Sequence, residues 1–214
     1  MTQLRGRHPE AYNWTLEKLE STPSRRFMKS HANLKDLPVG SAQGVKVIYV
    51  ARNPKDVAVS LYHHARNKQK TAFSGNVSDM IRFFVQGRCE NGSWFNHVLE
   101  WWEAAHADPD HILFLTYENM LKNPEEHIRK IADFAGIEHT PEIIAKTAAA
   151  STINAMMKNK KANLIPGVKH LRKGGAGGWR DVLTVRESEA FDKLYFEQME
   201  GSGLKMDFGE GLIV

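Results

Sequence analysis

The chain has 214 residues, of which 42% are hydrophobic and 25% are charged, and these proportions exclude a disordered or fibrous protein. The length suits one domain with a substantial core, so a single domain is predicted over residues 1–214. The net charge of +4 is compatible with an anionic ligand, while the single cysteine, Cys89, excludes an internal disulfide framework and indicates a reducing compartment.

Targeting signals and nucleic-acid signals are both weak. The first ten residues are polar and no apolar run reaches membrane-spanning length, so we expect a cytoplasmic protein without a membrane partner. Two lysine-rich stretches, 158–161 and 169–173, are open to a nucleic-acid interpretation. A charge run is more often a solvated face, so no nucleic-acid partner is predicted.

Short apolar runs alternate with longer amphipathic stretches along the chain. This alternation predicts an α/β fold with a mostly parallel sheet flanked by helices. Strands are predicted at 26–30, 45–50 and 111–116. Helices are predicted at 54–68, 77–86 and 94–106, then on either side of a turn at Gly136, and finally over 185–199.

The predicted strand-to-helix turn at Arg52 carries the most informative local chemistry. Asn53 suits an N-cap, Pro54 the first helical position, and Asp56 the acid of a capping box. A helix N-terminus at the carboxyl edge of a sheet attracts phosphate or sulfate. Arg52 can hold two oxygens of one phosphate, and Ser60, about two turns into the helix, can add a hydroxyl donor. A salt-bridged arginine and a solvated serine are the structural alternatives.

A run of small residues, 174–178, follows Arg172 and Lys173. Its sequence, G-G-A-G-G, suits neither helix nor strand, because glycine loses much backbone freedom on ordering. Two interpretations stay open: a backbone packed closely around an anion, or a connecting loop.

Several motifs occur together in one order that is typical of a known family. The run V-A-R-N-P-K-D-V-A-V-S at 50–60 resembles the segment of cytosolic PAPS-dependent sulfotransferases that holds the 3′-phosphate of the sulfuryl donor. The further matches are K-S-H at 29–31, G-S-W at 92–94, E-W-W at 100–102, L-T-Y-E-N-M at 115–120 and R-K-G-G-A-G-G-W at 172–179. The resemblance covers about residues 16–214.

The resemblance implies both a fold and an activity. The fold is a P-loop-kinase-like sulfotransferase α/β fold. The activity is transfer of a sulfuryl group from 3′-phosphoadenosine 5′-phosphosulfate (PAPS) to a phenol, alcohol or amine, without a metal. His31 is implied as the base that accepts the proton of the acceptor. Lys29, two residues earlier on the predicted strand, should share the face of His31 and stabilise sulfuryl charge, with an ordinary solvated lysine as the alternative.

The resemblance also implies a set of donor-binding residues. Contacts with the 3′-phosphate are implied for Arg52, Ser60, Arg172, Lys173 and Gly174. Contacts with the rest of the nucleotide are implied for Tyr117, Ser151 and Ile153. Ile153 stands where the family has an aromatic residue, so a stacking contact with adenine is lost there. The acceptor pocket is expected to be bordered by 69–76 and 163–171, and its preferred acceptor is not encoded in any of these motifs.

The segment 180–189, R-D-V-L-T-V-R-E-S-E, resembles the family's dimerisation motif K-x-x-x-T-V-x-x-x-E and implies a homodimer. Three tryptophans, Trp94, Trp101 and Trp102, share one helical face and are predicted to belong to the core.

One family motif is missing from these 214 residues. Neither the phosphosulfate loop T-Y-P-K-S-G-T-T-W nor a G-x-x-x-x-G-K-[ST] loop is present, so an N-terminally truncated domain is expected. In the family, the strand that precedes the phosphosulfate loop lies in the middle of the sheet. Its loss should leave two parallel strands without their shared neighbour and an apolar surface open. Two functions therefore stay open: an active sulfotransferase, or a non-catalytic or truncated relative that keeps only the 3′-phosphate half-site and the dimer surface.

Overall fold

The computed structural model describes residues 17, 21–22, 25–37, 44–67, 73–159 and 174–209. In these ranges short strands and longer helices alternate, as the α/β prediction requires. No helix in the described ranges is long and apolar enough to cross a lipid bilayer.

Two parallel strands form the sheet in the described part of the chain. Strand β1 is Val47–Ala51 and strand β2 is Ile112–Thr116, and their register runs from Val47 opposite Ile112 to Ala51 opposite Thr116. The two strands pair directly with each other, so the expectation that two parallel strands would lie without their shared neighbour is wrong for the described strands. Because they are parallel, the residues that follow them emerge side by side at one edge of the sheet.

The prediction of a strand at 26–30 is wrong. This segment has no strand pairing, and Phe27 and Met28 are 74% and 64% exposed. An extended segment becomes a strand only when a neighbour completes its hydrogen-bond ladder. On β1, Ile48 and Val50 are also exposed, which agrees with the expected open apolar surface.

Eight α-helices lie in the described ranges, three of them within two residues of the first three predicted helices. They are α1 (Pro54–Asn67), α2 (Val77–Val85), α3 (Trp94–Ala107), α4 (Tyr117–Lys122), α5 (Pro124–Ala135), α6 (Pro141–Ala150), α7 (Ile153–Lys158) and α8 (Val185–Met199). The predicted turn at Gly136 is confirmed, because this glycine ends α5 with a left-handed φ of 62°. The short helices α4 and α7 carried no clear signal in the sequence.

The core lies between the sheet and helices α1, α2, α3 and α8. Trp94 and Trp101 are buried, and Trp102 is half-buried with its indole N–H donating to the Ser202 carbonyl at 2.9 Å. The predicted core face of α3 is thus confirmed. Across the core, Phe95 packs near Phe191 of α8. This packing fixes α8 against α3 and positions the loop that precedes α8.

Candidate functional site at the carboxyl edge of the sheet

Arg52 and Tyr117 meet at the carboxyl ends of the two strands. They follow Ala51 and Thr116, which are register partners. The Arg52 guanidinium lies over the Tyr117 ring, 4.7 Å from its centroid. Tyr117 begins α4 rather than ending the strand, because Thr116 acts as N-cap and accepts from the Asn119 amide. Burial raises the pKa of the Tyr117 phenol, so its hydroxyl stays protonated.

The glycine-rich segment packs onto this pair. Arg52 Nη2 donates to the Gly175 carbonyl at 2.9 Å, and the Gly175 amide donates to the Tyr117 hydroxyl at 3.3 Å. Gly174 has a left-handed φ of 59°, and a Cβ placed on it would lie 2.8 Å from Cβ of Ile153. Four predicted nucleotide ligands, Arg52, Tyr117, Ile153 and Gly174, are therefore brought together. The backbone of this segment packs closely on Tyr117 and Ile153, and its packing around an anion stays a prediction.

Asp56 holds the far end of the same loop. Its Oδ2 accepts from the Gly177 amide at 2.8 Å and its Oδ1 accepts from the Trp179 amide at 3.0 Å. Asp56 also lies 3.4 Å from Arg52 Nη2. The predicted N-cap is confirmed, since Asn53 Oδ1 accepts from the Asp56 amide at 2.9 Å. The predicted capping box is wrong, because the Asp56 carboxylate serves the loop and not the Asn53 amide.

Glu118 accepts the hydrogen bond from the Asn53 amide that a capping-box Asp56 would have accepted. It is fully buried, and its Oε1 accepts from the Asn53 amide at 2.9 Å and from Asn53 Nδ2 at 3.0 Å. Its Oε2 has no hydrogen-bond partner within the ranges described. Burial raises the pKa of the Glu118 carboxyl, and the hydrogen bonds from Asn53 oppose that rise. Glu118 is not among the predicted site residues, although an acid beside Tyr117 at a strand end is a usable signal.

The two predicted serine ligands have different surroundings. Ser60 is exposed on α1, one helical turn beyond Asp56 and on the same face. Ser151 ends α6, and its hydroxyl donates to the Thr147 carbonyl at 2.8 Å. Arg172 and Lys173 lie outside the described residues, as does most of the expected border of the acceptor pocket.

Lys29 and His31 form a contact of their own on the exposed segment 25–31. Lys29 Nζ lies 2.8 Å from His31 Nε2, which agrees with the expectation that the two side chains share a face. A lysine ammonium can only donate, so Nε2 is the acceptor and the ring proton of a neutral His31 is on Nδ1. Both side chains are exposed.

Known proteins identify the family of the chain. A family model described as a sulfotransferase domain matches residues 4–203. The chain belongs to the sulfotransferase family. It is 39% identical over 199 residues to sulfotransferase 1A1 of the dog, a match that covers 88% of this chain and 67% of the relative. The motif-based family prediction is thus confirmed, and the chain spans about two thirds of the length of this curated relative.

Two solved structures share the fold. Mouse sulfotransferase SULT7A1 complexed with PAP is 32% identical, with a TM-score of 0.76 over 87% of this chain and 70% of that one. Retinol dehydratase in a complex with retinol and PAP is 29% identical, with a TM-score of 0.80 over 92% of this chain and 61% of that one. The predicted sulfotransferase fold is therefore confirmed.

The segment that resembles the family's dimerisation motif begins with a short turn and continues into α8. Thr184 caps α8 and forms a capping box with Glu187. The next side chain, Val185, is 75% exposed. A groove of about 310 Å³ runs along the segment. Its lining residues are Trp179, Arg180, Leu183, Val185, Ser188 and Glu189.

Proposed function

We propose that this chain is a cytoplasmic, PAPS-dependent sulfotransferase that sulfates a hydroxyl or amine of a small acceptor. The observation that carries the proposal is the cluster of Arg52, Tyr117 and the glycine-rich loop at the carboxyl edge of a parallel sheet. Open α/β sheets bind their ligands at this edge, outside the carboxyl ends of the strands. Two PAP-bound relatives with the same fold support a nucleotide there.

Arg52 is proposed to hold the 3′-phosphate of PAPS. Its Nε is buried without a hydrogen-bond partner among the described residues, so a donor remains for a phosphate oxygen. Ser60 is proposed to add a hydroxyl from the exposed face of α1, and Gly174 its backbone amide. By resemblance, Arg172 and Lys173 complete this half-site.

Tyr117, Ser151 and Ile153 are proposed to seat the nucleoside. The Tyr117 ring is already stacked under the Arg52 guanidinium, and Ile153 packs against Gly174. Ile153 offers an apolar surface to the adenine without the stacking contact that an aromatic residue would give.

His31 is proposed as the base and Lys29 as the cation that stabilises the sulfuryl oxygens. An acceptor oxygen or nitrogen forms the new bond to sulfur, the bond from sulfur to the phosphate oxygen breaks, and the acceptor proton passes to His31. The products are the sulfated acceptor and PAP, the desulfated donor. Because Lys29 occupies His31 Nε2 in this structure, the lysine must move toward the sulfuryl group before Nε2 can accept a proton.

A phenol, alcohol or amine is proposed as the acceptor, and retinol in the complex of a relative is an alcohol of this kind. A homodimer is proposed through 180–189. The exposed Val185 and the groove beside it support this surface, since an apolar side chain next to a recess suits a self-complementary contact.

One observation favours a second candidate, a non-catalytic relative that keeps the 3′-phosphate half-site and the dimer surface. Lys29 and His31 lie on an exposed segment without strand pairing, whereas Arg52 and Asp56 are hydrogen-bonded to the glycine-rich segment 174–178. Catalysis needs the base held rigidly against the donor, while nucleotide binding at Arg52 alone does not.

A transfer assay separates the two candidates. The protein, the H31A variant and an H106A control are incubated with sulfur-labelled PAPS and a panel of phenols, alcohols and amines. His106 is the control because it is a histidine of helix α3 whose ring contacts Trp102 of the same helix, and neither residue belongs to the proposed site. Turnover that is lost in H31A and kept in H106A supports the enzyme. Turnover equal in H31A and the unmodified protein rejects His31 as the base. PAP binding without any turnover identifies the non-catalytic relative.

A further inference from the structure

Asp56 is a buried carboxylate with three hydrogen-bond donors and one arginine around it. It is 3% exposed and accepts from the Gly177 amide, the Trp179 amide and Asn53 Nδ2, at 2.8, 3.0 and 2.8 Å. Arg52 Nη2 lies 3.4 Å away and adds a counter-charge. A buried carboxylate costs several kcal/mol unless it is paired in this way, so the arrangement is strongly specified.

These partners come from two distant parts of the chain. Asp56 and Arg52 lie at the junction of β1 and α1, while the two amides lie on the glycine-rich loop, 121 and 123 residues further along. The carboxylate therefore fastens the loop to the first turn of α1. It also sits beside the Nη2 group of Arg52 and so limits where the guanidinium can turn.

Within the described residues, the Arg52 guanidinium is contacted at Nη2 and on one face of its plane. Nη2 is engaged by the Gly175 carbonyl and by Asp56, and the ring of Tyr117 covers one face. Nε is buried and has no partner in the described part of the chain. The geometry thus leaves the buried Nε–H without a partner among the described residues and restricts its direction, as expected for a group prepared for an anion.

We propose that Asp56 is a positioning residue for the phosphate half-site. It orients Arg52 and draws the loop that carries Gly174 toward the same point, without touching the nucleotide itself. The inference deepens the proposed function and rests on it. The two loop amides and Asn53 already stabilise the negative charge of Asp56. The carboxylate therefore repels a bound phosphate less than a carboxylate without these hydrogen bonds would, while it still orients the Arg52 guanidinium.

The variant D56N tests the proposal with almost no change in shape. An asparagine keeps one acceptor but presents an NH₂ group to one of the two loop amides, so one hydrogen bond becomes a contact between two donors. We expect hydrogen exchange at Gly177 and Trp179 to become about 5–30-fold faster, which corresponds to the loss of one hydrogen bond of about 1–2 kcal/mol. PAP should then bind about 10–100-fold more weakly.

Asp79 provides a matched control. It also accepts a backbone amide, from Asn76 at 3.0 Å, and also pairs with an arginine, Arg82 at 2.8 Å, but it lies at the exposed start of α2. D79N should leave the exchange of the loop and the affinity for PAP unchanged. If D56N does not fold, D56E takes its place, because its longer side chain shifts the carboxylate away from the loop amides and predicts the same two effects.

The measurements are hydrogen exchange of the full chain by mass spectrometry, with and without PAP, and calorimetric titration with PAP. Fast loop exchange and weak PAP binding in D56N, with neither change in D79N, support the proposal. Loop exchange in D56N equal to that in D79N overturns it. If the unmodified protein binds no PAP, the proposed function fails, whereas the exchange data alone still decide whether Asp56 fastens the loop.

Discussion

Replacing Gly174 with alanine tests how closely the glycine-rich loop packs on its neighbours. The left-handed φ of 59° costs a residue with a Cβ about 1–2 kcal/mol. The new Cβ would also lie 2.8 Å from Cβ of Ile153, and overpacking of this kind adds about 1–3 kcal/mol. The loop can relieve about 2–5 kcal/mol by leaving its position, so PAP should bind at least about 30-fold more weakly while the domain stays folded.

The assay is calorimetric titration with PAP, combined with thermal unfolding. Gly203 supplies the control, because it has a similar φ of 70° but no atom within 4 Å of the Cβ position. G203A should lower stability by about 1–2 kcal/mol and leave PAP affinity unchanged. In an I153G background, G174A should cost several-fold less affinity, because glycine removes the whole Ile153 side chain, including the Cβ atom that the new methyl group would meet. An affinity in G174A equal to that of the unmodified protein, or an equal loss in both backgrounds, would refute the reasoning.

Three further predictions concern buried and exposed groups. Lys55 is almost fully buried and lies 2.6 Å from Asp192, so K55M should lower the free energy of unfolding in urea by about 2–3 kcal/mol. The loss is smaller than the roughly 3–5 kcal/mol for breaking a fully buried ion pair because Asp192 is 40% exposed, and a loss under about 0.5 kcal/mol would contradict the prediction. Burial raises the pKa of Glu118 above its ordinary 4.5, so the folded state binds the proton more tightly than the unfolded state. The free energy of unfolding in urea should therefore fall relative to that of E118Q as the pH rises from about 4.5 to about 7.5, and an equal pH dependence in the two proteins would contradict this prediction. V185E should convert dimers into monomers in analytical ultracentrifugation, while F196E on the exposed face of α8 should not, and equal behaviour of the two would remove Val185 from the interface.

The parts of the site that the sequence predicts correctly are those with local causes. The strand before Arg52, the N-cap at Asn53 and the helix from Pro54 follow from β-branched residues and an Asn-Pro boundary. Tyr117 appears opposite Arg52 because parallel strands in register end together. The features around Arg52 depend on residues close together in the chain, so a single sequence is sufficient to predict them, whereas Tyr117 lies far along the chain and is implied by the family resemblance.

The errors have long-range causes. Asp56 has the position of a capping-box acid, but the loop amides lie 121 and 123 residues away and compete successfully for its carboxylate. Glu118, an acid at a strand end, then accepts from the Asn53 amide, but the residues around Glu118 do not identify a partner 65 residues earlier in the chain. The segment 26–30 has the composition of a strand, yet a strand also requires a partner whose presence its own residues do not encode.

The most direct test of the central claim is the preference for a 3′-phosphate. Calorimetric titrations of the unmodified protein and R52A with PAP and with adenosine 5′-monophosphate, which lacks only that phosphate, isolate its contribution. A charge-assisted contact between Arg52 and the phosphate of about 2–3 kcal/mol predicts a preference for PAP of at least about 30-fold, and R52A should reduce this preference by about the same factor. Equal affinities for the two nucleotides in the unmodified protein, or an undiminished preference in R52A, would contradict the assignment of the half-site to Arg52.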